Sequence, residues 1–313
     1  MKRISLAAVF AFLALVMARS QDQKVTQIAP GVFFWQGDTV IRQPSNCTWV
    51  VFNDYVLVID ANFPWGAREI LLEIQRTTNK PIRFVFNTHY HADHGFGNGV
   101  FMAAGATIVS SRECREESLS KGETDWRNQI LNRAQRPNAS DHDKAVAEET
   151  RTKGYQIEHP TLLFEDRMAF DDGEHRVELR KLGPGHSKGD AVAWLPKERI
   201  LFTGDLCVNW GFGNNVADAD ADYDNWLRAL DTMVSMNPGT VVVGHGELGA
   251  TPALSAQKAY LADMLDQVRK GVRAGKTADQ VAAETNLTRH KIGGDKDRNA
   301  ASVKAMYGKV ARR

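Results

Sequence analysis

Long apolar runs, cysteines and any surplus of charge are all scarce in this 313-residue sequence. The one extended apolar stretch lies in the first twenty residues, MKRISLAAVFAFLALVMARS, with a basic start at Lys2 and Arg3, an apolar run from Ile4 to Met17 and small residues at Ala18 and Ser20. The run is short for a membrane span and reads as a signal peptide over 1–20, with a retained N-terminal anchor as the competing reading. The chain is therefore expected to be exported, periplasmic or extracellular, with no membrane partner after cleavage. Lysine and arginine outnumber aspartate and glutamate by 39 to 38, and the leader holds Lys2, Arg3 and Arg19, so the remainder is faintly acidic. No basic patch or lysine-rich tail stands out, which disfavours a nucleic-acid partner. Three cysteines, Cys47, Cys114 and Cys207, cannot all pair. Export permits a disulfide, and the alternative is three small buried apolar side chains. Asn-x-Ser/Thr triplets at Asn46, Asn138 and Asn286 matter only in a glycosylating host. No repeat and no Pro/Ser-rich linker breaks the chain, so 21–313 is expected to form one domain.

What is present alternates. Short β-like runs (Lys24 to Ile28, Val32 to Trp35, Thr48 to Phe52, Val56 to Asp60) precede a helix that starts near Pro64, with Ile70, Leu71 and Ile74 on one face. IRFVFN and ATIVSS read as strands. From Arg112 to about His159 the chain is dense in charge, with Trp126, Ile130 and Leu131 as its best apolar stripe. This reads as an inserted helical segment at about 112–159, either a solvated excursion or a lid over a site. Strands resume at Thr161 to Phe164, Arg167 to Asp171, Val177 to Leu182, Ala191 to Leu195, Arg199 to Thr203 and in TVVVG. A helix is expected from about Trp226 to Met236, then a helical C-terminal extension from Thr251 that runs out into a polar tail. Strands then helix, twice over, fits an α/β protein of two sheets packed face to face with helices outside.

The segment NTHYHADHGFGN, Asn87 to Asn98, holds three of the nine histidines and an aspartate within six residues. On an extended segment residues i and i+2 share a side, so His89 and His91 can grip one ion together. Asp93 and His94 follow where the chain must turn. Four such donors are too crowded for one tetrahedral ion, and two neighbouring ions, each completed from elsewhere, suit them better. The pattern arises by chance in on the order of one chain in a thousand, so core or surface histidines are a weak competitor. The remaining donors are expected at other strand ends beside glycine: His186 in GPGHSKGD, Asp205 after ILFTG and His245 in VVVGHG. Each alone would read as a turn residue, and together with the cluster they make seven, the number two ions need.

THYHADHG, GPGHSKGD, TGD and GHG, in that order and spacing, resemble the metallo-β-lactamase superfamily, from roughly Val32 to Glu247. The resemblance implies an αββα four-layer sandwich of two mixed β-sheets with helices on the outer faces and a two-metal site along one sheet edge. It implies that His89, His91 and His186 hold a first ion, that Asp93, His94 and His245 hold a second, and that Asp205 bridges them. Asp60 in VLVIDAN resembles an early family aspartate that orients a ligand histidine; a plain turn residue is the other reading. Neutral imidazoles and carboxylates suit two zinc ions per chain, with iron or manganese also possible. Such a pair lowers the pKa of a shared bridging water to give hydroxide near neutral pH, and Asp93 is placed as the catalytic residue that orients it and shuttles a proton.

Asp205 departs from antibiotic-cleaving members, which carry cysteine or serine there, and is similar to the glyoxalase II, lactonase and general-hydrolase branches. Cys207 shares a side with Asp205 on an extended chain and is either a packing residue or a ligand. Lys188 stands where many relatives have proline and would either favour an anionic substrate or point to water. Phe63 and Trp65 in NFPWGA, and Trp210 and Phe212 in NWGFGN, would line the mouth of a pocket for an apolar or flat group, or else tie long loops to the surface. No basic C-terminal segment matches the glutathione-binding part of glyoxalase II-type enzymes. The favoured expectation is a dinuclear zinc hydrolase acting on a small-molecule ester, thioester, lactone or amide-like bond, β-lactams included. The alternatives are an iron-dependent, sulfur dioxygenase-like oxidoreductase and a binding protein on a retired enzyme fold, the latter disfavoured because all seven donors are present. Nothing in the sequence sets an oligomeric state.

Overall fold

A computed structural model describes residues 25–38, 44–137, 139–211, 213–291 and 296–312. The signal segment at 1–20, Asn138 and Phe212 lie outside the described residues. In chain order the first half contains β1 (Thr26–Ala29), β2 (Val32–Trp35), β3 (Cys47–Val51), β4 (Val56–Ile59), α1 (Pro64–Thr77), β5 (Ile82–Phe86), the one-turn α2 (Ala92–Gly95) and α3 (Asn98–Ala103). Then come β6 (Thr107–Ser111), α4 (Arg112–Trp126), α5 (Asp141–Lys153) and β7 (Leu162–Phe164). The second half has β8 (Arg167–Asp171), β9 (Arg176–Lys181), β10 (Ala191–Leu195), β11 (Ile200–Phe202), α6 (Tyr223–Ser235), β12 (Thr240–Val242), α7 (Thr251–Arg273), α8 (Ala278–Glu284) and α9 (Lys296–Val310).

Strands β1 to β7 form one sheet in sequence order, and the second sheet runs β12-β11-β10-β9-β8. Both are mixed. The first is antiparallel from β1 to β4 and parallel from β4 to β7. The second is antiparallel apart from the parallel pair β11–β12. Parallel pairing matters here because it brings the C-terminal ends of β4 and β5 to one edge, and those of β11 and β12 likewise.

The strands are apolar on both faces because both faces are covered. In β4, Leu57 and Ile59 join Phe86, Leu179, Ala193 and Phe202 in the layer between the sheets. Val56 and Val58 point the other way, onto Ile70 and Ile74 of α1 and Phe101 of α3. On the far side Val192, Trp194, Leu201 and Val241 pack against Trp226 and Leu230 of α6 and Tyr260, Leu261 and Met264 of α7. Helix, sheet, sheet and helix thus form four layers, and each fully buried Leu, Ile or Phe stabilises them by about 1.5–3 kcal/mol. Among the described residues no helix is long and apolar enough to cross a membrane.

Two stretches differ from the sequence reading. The polar tail contains α8 and α9, and Val281, Val303 and Met306 are buried against α7. The signal was present: Val303, Met306, Tyr307 and Val310 have the spacing of one helical face, thinly spread among polar residues. The charged stretch after Arg112 is tied to the body by an apolar cluster of its own, in which Trp126, Ile130 and Val146 meet Phe63, Trp65, Ala92 and Phe96.

Candidate metal centre

Four strand ends deliver the donors. Beyond β5 the chain bends at Thr88 and His89, and Nε2 of His89 and Nδ1 of His91 come within 3.1 Å. One helical turn follows at once, His91 O accepting from the backbone N–H groups of both His94 and Gly95. That turn aims Asp93 and His94 at a different point. His186 arrives from the loop after β9, Asp205 from a tight turn after β11, and His245 from the end of β12. Two glycines make the approach possible. Gly204 adopts φ +50°, and a Cβ on Gly244 would lie 1.9 Å from Asp205 Oδ1.

Donor atoms of His89, His91, His186 and Asp205 form one group and those of Asp93, His94 and His245 a second, each compact enough to hold a metal ion. In the first, His186 Nε2 lies 3.0 Å from His91 Nδ1 and 3.6 Å from Asp205 Oδ2. In the second, His94 Nε2 lies 3.3 Å from His245 Nε2, which is 3.4 Å from Asp93 Oδ2. Asp205 stands between the groups, with Oδ2 3.2 Å from His245 Nε2 and Oδ1 3.3 Å from His94 Nε2. A metal with bonds of 2.0–2.1 Å sets its tetrahedral ligands about 3.3 Å apart, and these spacings match.

The outward ring nitrogens fix where the protons sit. His94 Nδ1 is 2.8 Å from Asp60 Oδ2, His91 Nε2 3.1 Å from Asp218 Oδ2, His186 Nδ1 2.9 Å from the carbonyl of Asn215 and His245 Nδ1 2.7 Å from that of Pro44. All four partners are acceptors. His89 Nδ1 meets Thr88 Oγ1 at 3.1 Å, and that hydroxyl already donates to Asp60 Oδ2, so it accepts from the ring. Each neutral imidazole therefore turns a bare lone pair inward, five of them beside two carboxylates. Crowded lone pairs repel unless a cation lies among them, and outward acceptors of this kind raise the basicity of a ligating ring.

Without a cation the protein's own charges adjust. Burial and the neighbouring His94 hold His89 well below the ordinary imidazole range, and burial with His91 lowers His186 to about 4. Burial disfavours charge on His91 too, but the Asp218 hydrogen bond and nearby carboxylates outweigh it and push that ring up to about 9. Burial likewise opposes charge on Asp205, yet His245 and His94 hold its carboxyl well below the usual range.

The structure thus brings together His89, His91, Asp93, His94, His186, Asp205 and His245, and sets Asp60 behind His94. The pocket residues fare differently. Phe63 and Trp65 stack on each other with centroids 4.7 Å apart and are buried in the cluster with Phe96 and Trp126, not lining an open mouth. Trp65 sits in the first turn of α1 and Phe63 caps it, so the helix turns both rings under α4. Lys188 places its ammonium 3.1 Å from Glu116 on the exposed side of α4 rather than on the metal edge. Cys207 is fully buried, its thiol aimed at the carbonyl of Ala253, in a packing role; all three cysteines are free and buried. Trp210 stacks on the His245 ring, centroids 4.3 Å apart.

Sequence reasoning missed Thr88, Asp218 and Tyr90. Tyr90 gives its hydroxyl proton to Asp218 at 2.5 Å, which leaves the other lone pairs of that carboxylate for His91. The one available signal was the run of aspartates in VADADADYDN, which looks like a solvated acidic loop. A third acidic group, Glu117, Asp218 and Asp220, also has metal-like spacing. Its cation is already present: Lys121 Nζ lies 2.9 Å from Glu117, 3.4 Å from Asp218 and 2.5 Å from Asp220.

The family model described as the metallo-beta-lactamase superfamily matches residues 40–245. The chain is 22% identical over 282 residues to a metallo-beta-lactamase type 2 of Bacteroides fragilis, covering 86% of this chain and 100% of that protein. It is 24% identical over 233 residues to a metallo-beta-lactamase type 2 of Bacillus sp. (strain 170), covering 74% and 76%. Among solved structures, a metallo-beta-lactamase from Pontibacter korlensis superposes with a TM-score of 0.56 at 21% identity, over 76% of this chain and 98% of that one. The stereoselective inverting sec-alkylsulfatase Pisa1 from Pseudomonas sp. superposes with a TM-score of 0.71 at 15% identity, over 92% of this chain and 50% of that one. At such identities the likeness of structure is one of fold.

Proposed function

The chain belongs to the metallo-β-lactamase superfamily, and we propose from its donor set that it is an exported dinuclear zinc hydrolase that opens an ester, thioester, lactone or amide-like bond of a small molecule. One observation carries the reading: five imidazole lone pairs and the carboxylates of Asp93 and Asp205 converge, while all five outward ring nitrogens are already bonded. His89, His91 and His186 would hold the first ion and Asp93, His94 and His245 the second, with Asp205 shared. Zinc ions held there would polarise a substrate oxygen and supply a water acidified toward neutral pH.

The chain's own residues do the rest. Asp93 is partly exposed, with its carboxylate 3.4 Å from His245 Nε2, so it is placed to align the attacking water and carry its proton. Ser45 donates to the backbone carbonyl of Asp93 and fixes the backbone from which that carboxylate projects. Trp210 walls the His245 side with an aromatic face, which suits an apolar or flat substrate group. The aspartate at 205, where antibiotic-cleaving relatives have cysteine or serine, favours ester-type substrates over a dedicated β-lactam role. Export rests on the leader segment alone.

Metal analysis of the purified protein, followed by a panel of lactones, thioesters, phosphodiesters, β-lactams and sec-alkyl sulfates, tests the proposal. Two zinc ions per chain with turnover on the panel are expected, and Asp205→Ala should lose both metal and rate. One iron per chain with oxygen uptake would replace the hydrolase with an iron-dependent oxidoreductase. Full metal and rate in Asp205→Ala would end the dinuclear assignment.

A further inference from the structure

Helix α4 carries one charged face on the inward side, besides the exposed charges expected of a solvated helix. Glu117, Lys121 and Asp125 recur every fourth residue and so share one face, and that face looks into the protein. Glu117 is only 2% exposed. A buried carboxylate is costly unless it is hydrogen-bonded, and Glu117 accepts three hydrogen bonds. Its Oε1 accepts from Lys121 Nζ at 2.9 Å and from the backbone of Lys188 at 3.1 Å, and its Oε2 accepts from the backbone of Gly189 at 2.8 Å. Those two amides belong to the loop that presents His186. Lys121 reaches Asp218, the carboxylate behind His91, and lies 5.0 Å from the centre of the Tyr90 ring. Asp125 Oδ2 accepts from the Ala92 amide at 2.8 Å, which fixes the peptide directly after His91.

Every one of these contacts bears on His91 or His186. The other half of the centre is held by different parts: His94 by Asp60 and His245 by the Pro44 carbonyl. We infer that the Glu117–Lys121–Asp125 face of α4 positions His91 and His186, two of the first-ion ligands, with Lys121 as the positioning residue that orients His91 through Asp218. The helix is then a fixed clamp on one ion, not a lid over both. Ligand-orienting partners typically change metal affinity by roughly 10–100-fold.

The inference rests on the two-ion reading, so its test separates the halves. Zinc affinity is measured by competition with a chromophoric chelator in two backgrounds, His245→Ala, which keeps the first-ion ligands, and His186→Ala, which keeps the second. Adding Lys121→Met should weaken zinc binding at least tenfold in the first background and leave the second unchanged, while Lys121→Arg should restore most of the loss. Equal weakening in both backgrounds would mean a general loss of structure and would overturn the inference, as would no change in either. If neither background binds zinc with Lys121 intact, the two-ion reading fails and takes the inference with it.

Discussion

Nδ1 of His94 lies 2.8 Å from Oδ2 of Asp60, and Asp60 itself sits at the end of β4 with φ 59°, in left-handed backbone. Aspartate tolerates that region better than most residues, but it is still strained, by roughly 1–3 kcal/mol. The surroundings hold it: Oδ1 accepts the Thr88 amide at 2.8 Å and Oδ2 also accepts the Thr88 hydroxyl. One carboxylate thereby orients His94 directly and His89 through Thr88.

Asp60→Ala should therefore weaken metal binding by roughly 10–100-fold. Asp60→Asn should lose less, because asparagine also adopts left-handed backbone and keeps one acceptor. Competition titration with a zinc chelator measures both, with circular dichroism to verify that the sheets persist. Unchanged affinity in Asp60→Ala would remove Asp60 from the centre.

Gly244→Ala probes the narrowest approach in the site, since the new methyl would sit 1.9 Å from Asp205 Oδ1 and 2.9 Å from the carbonyl oxygen of Gly204. Neither neighbour is the free end of a long side chain. The carboxylate must turn away from its place between the two donor groups, so bound metal and turnover should fall together. Metal content by elemental analysis decides; a fully loaded, active Gly244→Ala protein would contradict this geometry.

Removing metal should destabilise the fold as well as silence it, because the donors come from four strand ends that only the folded chain gathers. At a thousandfold excess over Kd each ion contributes about 4 kcal/mol. Chelation should lower the melting temperature by roughly 10 °C or more at this chain length. An unchanged melting curve after chelation would show that the donors hold nothing.

Asp190 gives a pH signature from the loop that carries His186. Burial raises its carboxyl to about 7, against the lowering effect of the hydrogen bonds from Ser187. The folded chain then keeps a proton that the unfolded chain releases near pH 4. Stability contributed at this residue falls as pH rises from about 4 through about 7 and is level above that. Denaturant unfolding of metal-free wild type and Asp190→Asn across this range should show the wild-type advantage shrinking with pH. A flat difference would refute the assignment.

Much of the site was legible because strand ends are local. An apolar run, a glycine and then a histidine or aspartate marks each of His186, Asp205 and His245, and the His89–His94 spacing is dense enough to stand alone. Other partners left no such mark. The carbonyls of Pro44 and Asn215 are backbone atoms that any residue supplies, so no sequence pattern could single them out. Phe63 and Trp65 look like pocket aromatics in a glycine-bearing loop, and only the packing of α4 over them buries the pair.

By itself the sequence determined the alternation of strands and helices, the family likeness and which side chains can bind metal, because apolar periodicity and donor spacing are properties of short segments. The tertiary structure alone decided that seven donors divide into two groups with Asp205 between them, that each imidazole has its proton turned outward, and that one charged face of α4 turns inward. These depend on distances between residues up to two hundred positions apart, such as Pro44 and His245, and such distances exist only once two sheets have packed against each other.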